Sequence, residues 1–388
     1  MNSFKNIKRI FSDELNVIFN DHSILLTIIV APMLYLFFLG SIYLNKEIEE
    51  VPIAVVDMDK TPVTRQLIRM VDASPKLKIV QSTGNMAEAK DLYYKMEAQG
   101  ILYFPKNFGK KLKRLEGADA GLYLNNSRFM PSNTINEGVQ TALLTVGAGV
   151  RIKYFMNKGL IPKLAYNEAL PIRSELKPMY NTTNNYGDFL LPGLFLLILQ
   201  QTLLIGLGES IASENEKYGG LKSGSRTDFI SWYLGKSGFY LLLFFAFAFF
   251  TIETGFRAFD LIPIRSTFAA WNLYVPFILA TVNIAMIIGS YFKRQILLME
   301  ILAFSSYPFF LVSGYSWPAD KMILPLQIFS KFIPISPMLD GIKRVFIMRG
   351  DLADVTGQIL HLWVLFGLSL IWLVYRFYAT KFKRATID

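Results

Sequence analysis

The sequence predicts a polytopic α-helical membrane protein, six transmembrane helices plus an extracytoplasmic α/β domain. Three observations predict it. Apolar residues gather into six uninterrupted blocks of about twenty, the length that crosses a roughly 30 Å hydrocarbon core at about 1.5 Å per residue. Between the first and second blocks lie 144 residues, 45–188, in which short β-rich runs alternate with helical periodicity. Lys and Arg favour one set of segments near the span ends, and this gives the orientation.

Residues 1–23 form an amphipathic interfacial helix. Ile7, Ile10, Phe11, Leu15, Ile18 and Phe19 share one side, with Lys5, Lys8, Arg9, Asp13 and Glu14 largely opposite, a pattern that suits the plane of a membrane surface. Lys8, Phe11, Glu14 and Leu15 represent its two faces. The first span is 24–44. It is too long for a signal-peptide core and no small-residue cleavage pattern follows it. The domain at 45–188 then opens with a strand at 51–56, broken by Asp57 and Asp59, which are read as turn and cap residues rather than metal ligands. Thr61 before Pro62 marks a helix start. Further strands are read at 77–80, 101–104 and 121–124, with helices at 86–96, after Pro105, and at 134–155. Such alternation points to a mixed or parallel sheet with helical cover.

A five-helix transmembrane region, 189–378, follows, with spans at 189–211, 229–252, 268–292, 296–317 and 357–378. Between the first two of these lies a polar cytoplasmic loop, 212–228. An outer segment, 318–356, is read as broken or re-entrant, since Pro308, Gly314, Pro334 and Pro337 cluster around it. A basic tail, 379–388, ends the chain. If the N-terminus is cytoplasmic, the inside segments carry twelve Lys and Arg and the short outside connections seven. Both termini are therefore placed in the cytoplasm and the large domain outside.

Composition narrows the function. The chain has 388 residues, 52% hydrophobic, with a net charge of +10 and no cysteine. Disulfides, zinc thiolates, iron–sulfur clusters and thiol catalysis are excluded. The positive charges flank apolar spans instead of forming one basic face, which fits anionic lipid and speaks against nucleic acid. Gly235-Lys236-Ser237 mimics the end of a phosphate-binding loop, but Ile230 stands where that loop needs glycine and the string lies in a span. Lys236 is expected to snorkel toward the headgroups.

Three stretches, in order along the six spans, resemble the permease subunits of ABC-2 type transporters that carry a large extracytoplasmic domain between their first two spans. They are Val-Pro-Ile-Ala-Val-Val-Asp-Met-Asp-Lys-Thr-Pro (51–62) with Ile-Leu-Tyr-Phe-Pro-Lys-Asn-Phe (101–108); Glu-Asn-Glu-Lys-Tyr-Gly-Gly-Leu (214–221) leading through Arg226; and Tyr-Pro-Phe-Phe-Leu-Val-Ser-Gly-Tyr-Ser-Trp-Pro (307–318) with Ile-Pro-Ile-Ser-Pro (333–337). The second departs from the family's frequent Glu-Lys/Arg-Gly-Thr, since Tyr218 precedes Gly219 and Gly220. The resemblance implies a permease of an exporter in the bacterial inner membrane, paired with an identical or paralogous permease. A separate ABC ATPase subunit would hold the ATP and Mg; no cofactor is expected on this chain. Glu214, Glu216, Lys217, Tyr218, Gly219, Gly220, Leu221 and Arg226 would meet that ATPase. Docking of a periplasmic adaptor protein is left open.

Polar residues inside spans are the default pathway candidates: Gln200, Gln201, Asn272, Asn283 and Glu300. The bland reading of the amides is hydrogen bonding between helices. The cargo is expected to be hydrophobic or amphipathic and leaves from the cytoplasm or inner leaflet. A receptor or scaffold that binds a ligand with the outer domain is the rival, weakened by the lack of a cytoplasmic output domain. A membrane enzyme is the second rival and lacks a defensible catalytic arrangement.

Overall fold

The structure is a computed structural model that describes residues 2–43, 48–172, 177, 179–181, 186–218, 228–255, 257, 259 and 264–385, with side chains left aside at 2, 3 and 380–385. It divides into two compact units, Glu47–Lys177 and a second made of Met1–Lys46 with Pro178–Asp388. The first lies within the expected 45–188, and the helix that follows it starts at Tyr186.

The Glu47–Lys177 unit is an α/β domain. Its strands β1 (Val51–Asp57), β2 (Leu77–Thr83), β3 (Gly100–Phe104) and β4 (Gly121–Leu124) lie in the order β2-β1-β3-β4. β1 pairs in parallel with β2 and β3, and β4 closes the edge antiparallel to β3. Alternate β1 residues face opposite sides of the sheet. Ile53 and Val55 pack with Leu67, Val71, Ile135 and Val139, whereas Ala54 and Val56 pack with Ala89 and Ile101. The strand is therefore covered on both faces, which is why it reads as a continuous apolar run. Its turn is built as the composition suggested. Asp57 Oδ1 accepts the N–H groups of Asp59 and Lys60 at 3.0 and 2.9 Å, and Asp59 Oδ2 accepts Gly109 N–H at 2.9 Å. Thr61 caps the next helix in a reciprocal pair with Thr64.

Among its described residues the other unit contains six helices long and apolar enough to cross a membrane. After the N-terminal helix α1 (Asn2–Asn20) come α2 (His22–Ile42), α3 (Tyr186–Tyr218), α4 (Phe229–Phe250), α5 (Thr267–Tyr291), α6 (Gln295–Val312) and α7 (Thr356–Ala385). A π turn at Leu26–Val30 interrupts α2 just before Pro32, whose missing N–H and ring clash the wider turn absorbs. α3 and α5 form the centre, each 72% buried over its most apolar stretch, while α6 and α7 are 17% buried and line the outside. α3 and α5 meet backbone to backbone: a Cβ on Gly289 would stand 2.7 Å from the Gly208 carbonyl.

Three helix ends differ from the sequence reading. α3 does not stop at 211 but continues through Tyr218, so 212–218 are helical and not loop. α6 ends at Val312, short of 317, because Gly314 takes a left-handed φ of +88°; Pro308 lies inside the helix without ending it. α7 runs on to Ala385, through most of the expected tail. The segment 318–356 folds as short helical pieces, among them Leu324–Ser330 and Ile335–Ile342.

Candidate functional site

The polar residues of the membrane unit concentrate where the last turns of α3 meet α1, and the arrangement follows from how α1 packs. Gly235 on α4 leaves room for Ile10, whose Cβ would lie 2.7 Å from any Cβ placed on that glycine. One turn further along α1, Glu14 comes over Lys236. Both are 1% exposed and ion-paired, and Lys236 Nζ also meets Glu214 Oε1 at 2.7 Å. Ser210 Oγ and Tyr240 OH donate to Glu14 Oε1 at 2.6 and 3.0 Å.

Two expectations are corrected here. Lys236 does not snorkel out of the bundle, and Glu14 is not on a solvated face. Once α1 lies against α4, a buried lysine is tolerable only with carboxylates at hand, and one comes from each neighbouring helix. The cluster holds one cation and two carboxylates.

The next residues of α3 tie off two other helices. Asn215 Nδ2 donates to the carbonyls of Gly289 and Phe292, both at 3.0 Å, and so closes the C-terminal end of α5. Glu216 Oε2 accepts Gln295 N–H at 3.0 Å, at the N-terminus of α6, where a carboxylate meets orphan amides and the positive end of the helix dipole. Arg376 of α7 donates to the Ser290 carbonyl at 2.9 Å and lies 4.1 Å from the Tyr291 ring centroid. Glu209, 1% exposed, accepts Ser23 Oγ at 2.7 Å and Gln295 Nε2 at 3.1 Å, and Gln295 Nε2 also reaches Asp21 Oδ2 at 2.9 Å. Beside this lattice an open groove of about 480 Å³ is lined by Asp13, Asn16, Asn20, His22, Lys217 and Tyr218, among others.

Of the residues expected to meet an ATPase, Glu214 and Glu216 are thus engaged within the chain, while Lys217 and Tyr218 are exposed at the end of α3. Gly219, Gly220, Leu221 and Arg226 lie outside the described residues. On α1, Lys8 is exposed and Phe11 and Leu15 are half-buried.

The pathway candidates do not come together. Asn283 is fully buried and saturated: it accepts Tyr233 OH at 2.9 Å and donates to Ser369 Oγ at 3.1 Å and the Phe366 carbonyl at 3.3 Å. Asn272 bonds back to Phe268 in its own helix. Glu300 is exposed on α6. Gln200 and Gln201 are buried in α3, and none of their amide atoms has a hydrogen-bond partner among the described residues.

Sequence reading missed Glu209, Ser210, Asn215, Tyr240 and Gln295. The available signal was an opposite-charge pair inside spans, with Glu209 two residues before the end assigned to one and Lys236 well within the next; an ionisable residue in a span asks for a partner.

The sequence model of the family described as "ABC-2 family transporter protein" matches residues 22–376. The chain belongs to this family. No curated protein matches it in sequence. The family match begins at His22, so α1 and its Glu14 precede it.

Proposed function

We propose that this chain, a membrane permease subunit of an ABC transporter by family, pairs with a second permease and exports a hydrophobic or amphipathic molecule. The energy comes from ATP hydrolysed on a separate ABC ATPase. That subunit docks on the cytoplasmic face formed by α1 and the end of α3. The protein sits in a bacterial inner membrane with both termini inside and the Glu47–Lys177 unit outside, where an adaptor protein is a further partner to test for.

The observation that carries the docking face is the lattice around Glu14, Lys236 and Glu214. A push on α1 or on the end of α3 is delivered directly to α4 through the ion pairs, and to α5 and α6 through Asn215 and Glu216. A rigid polar junction at one end of a bundle is suited to receive motion from a partner, since packed elements shift between discrete arrangements instead of deforming gradually. The surface beside it is polar, with Lys217 and Tyr218 exposed at its edge.

Because Glu214 and Glu216 hold the chain's own helices, reversing their charge tests folding as much as docking. Lys217→Glu is the cleaner probe. Purified in mild detergent, the variant is expected to keep its monodisperse profile and thermal midpoint and to lose at least about tenfold in co-purifying ATPase, the effect of roughly 1.4 kcal/mol. Undiminished recovery of the ATPase would remove this face from the interface.

A further inference from the structure

Gln200 and Gln201 are adjacent, near the middle of α3, and buried at 0% and 5% exposure. Their four amide atoms are enclosed and without partners among the described residues. Fourteen residues of α3 precede Gln200 and eighteen follow it, so by helical rise it lies about 20 Å or more from either end. Other enclosed atoms of the bundle, Trp232 Nε1 and Ser336 Oγ among them, also lack partners among the described residues, but neighbouring side-chain groups are satisfied. Asn283 is saturated by three groups, and the Thr202 hydroxyl bonds to the Ile198 carbonyl at 2.8 Å. Further along α3, Glu209 Oε2 is likewise enclosed and without a partner among the described residues.

An unpaired amide in an apolar interior destabilises the conformation that buries it, and a leucine of similar size would not. Two consecutive amides left unpaired at the most apolar depth of a central helix are therefore groups whose partners arrive from elsewhere. The partner's chemistry is legible. From 189 to 208 α3 contains no Asp, Glu, Lys or Arg, so the place offers donors and acceptors without charge. It suits water or the uncharged polar part of a passing molecule and does not suit an ion.

We infer that Gln200 and Gln201 line a conduit for uncharged hydrogen-bonding groups at mid-membrane, closed in this conformation and hydrated when the helices around α3 part. This rests on the transport reading and gives it a location.

The chain has no cysteine, so single cysteines can be placed without a background. Gln200→Cys and Gln201→Cys are compared with Leu203→Cys and Leu207→Cys, equally buried apolar positions on the same helix. Each is expressed as the full chain in native membranes with its ATPase and exposed to N-ethylmaleimide. Thiols react as hydrated thiolates, so positions 200 and 201 are expected to label at least about tenfold faster than 203 and 207. Uniformly slow labelling at all four positions overturns the conduit, and so does uniformly fast labelling, which would report a loose helix. Gln200→Leu/Gln201→Leu provides a second readout: a higher thermal midpoint with weaker drug or lipid stimulation of the complex's ATPase supports the inference, and a lower midpoint overturns it by revealing partners already present. Addition of a neutral alkyl maltoside separates the two sources of hydrogen bonds. Slowed labelling at 200 and 201 identifies an amphiphile's polar part as an occupant, and unchanged labelling leaves water as the occupant. Failure of labelling with an intact ATPase complex sinks the conduit alone, and absence of any ATPase partner with labelling intact sinks the transport reading alone.

Discussion

Two stretches of one helix treat buried polar groups in opposite ways. At its last turns α3 offers Ser210, Glu214, Asn215 and Glu216, and each is met by a group from another helix. About four turns earlier, Gln200 and Gln201 are at least as buried and are met by nothing among the described residues. Burial is deeper at the middle, where Glu214 and Asn215 at the end are half-buried and Glu216 is exposed, yet only the end recovers its desolvation cost in hydrogen bonds. Polar residues at the end of α3 act as struts, and those at its middle are available for something that comes and goes.

Substitutions can break this contrast or sharpen it. Lys236→Met should have the largest effect, since it leaves two carboxylates facing one another in an enclosed site; loss of one partner of a buried pair costs about 3–5 kcal/mol. Little folded protein is expected by fluorescence-detected size exclusion, and combining it with Glu14→Gln should restore part of the signal. If Lys236→Met alone folds like the parent, the cluster is no strut. Asn215→Ala comes next. It removes the donor that Asn215 gives the Phe292 carbonyl and one of the two that meet the Gly289 carbonyl, and about 1–3 kcal/mol of destabilisation, seen as a lower thermal midpoint, is expected. Gln200→Leu should be the smallest and of opposite sign, a rise of about 1 kcal/mol in stability, since no bond is lost and an enclosed amide is removed.

The six spans and the four strands were legible because length of apolar run and β-rich composition are local properties. Thr61 before Pro62 announced its helix for the same reason: both halves of the cap lie within four residues. The ends of α3 and α6 were not legible. α3 continues past 211 with polar residues that look like loop by composition, and those residues are helical while bonded to α4, α5 and α6. Glu14 was legible and was misplaced. Three and four residues away its neighbours are Ile10, Phe11, Val17 and Ile18, so it lies on the apolar face that α4 covers at Gly235, where an acid asks for a partner. Which group answers it was not legible, because that depends on a second helix. The amide candidates separated on the same ground: Asn283 and Gln200 are similar in depth and chemistry, and whether each finds a partner depends on what the neighbouring helices bring.

The ion pair between Glu14 and Lys236 also has a history at the ribosome. The acid is synthesised 222 residues before its cation, an interval of roughly 10–45 s at common elongation rates. Through that interval α1 and α2 have emerged, and the whole Glu47–Lys177 unit is being made, while the cation that Glu14 pairs with in the folded chain does not yet exist. The nascent N-terminal helix must wait at the aqueous surface, where a carboxylate is cheap. It can take up its place against the bundle only after α4 has been delivered. Final seating of the first helix is thus a late event in assembly.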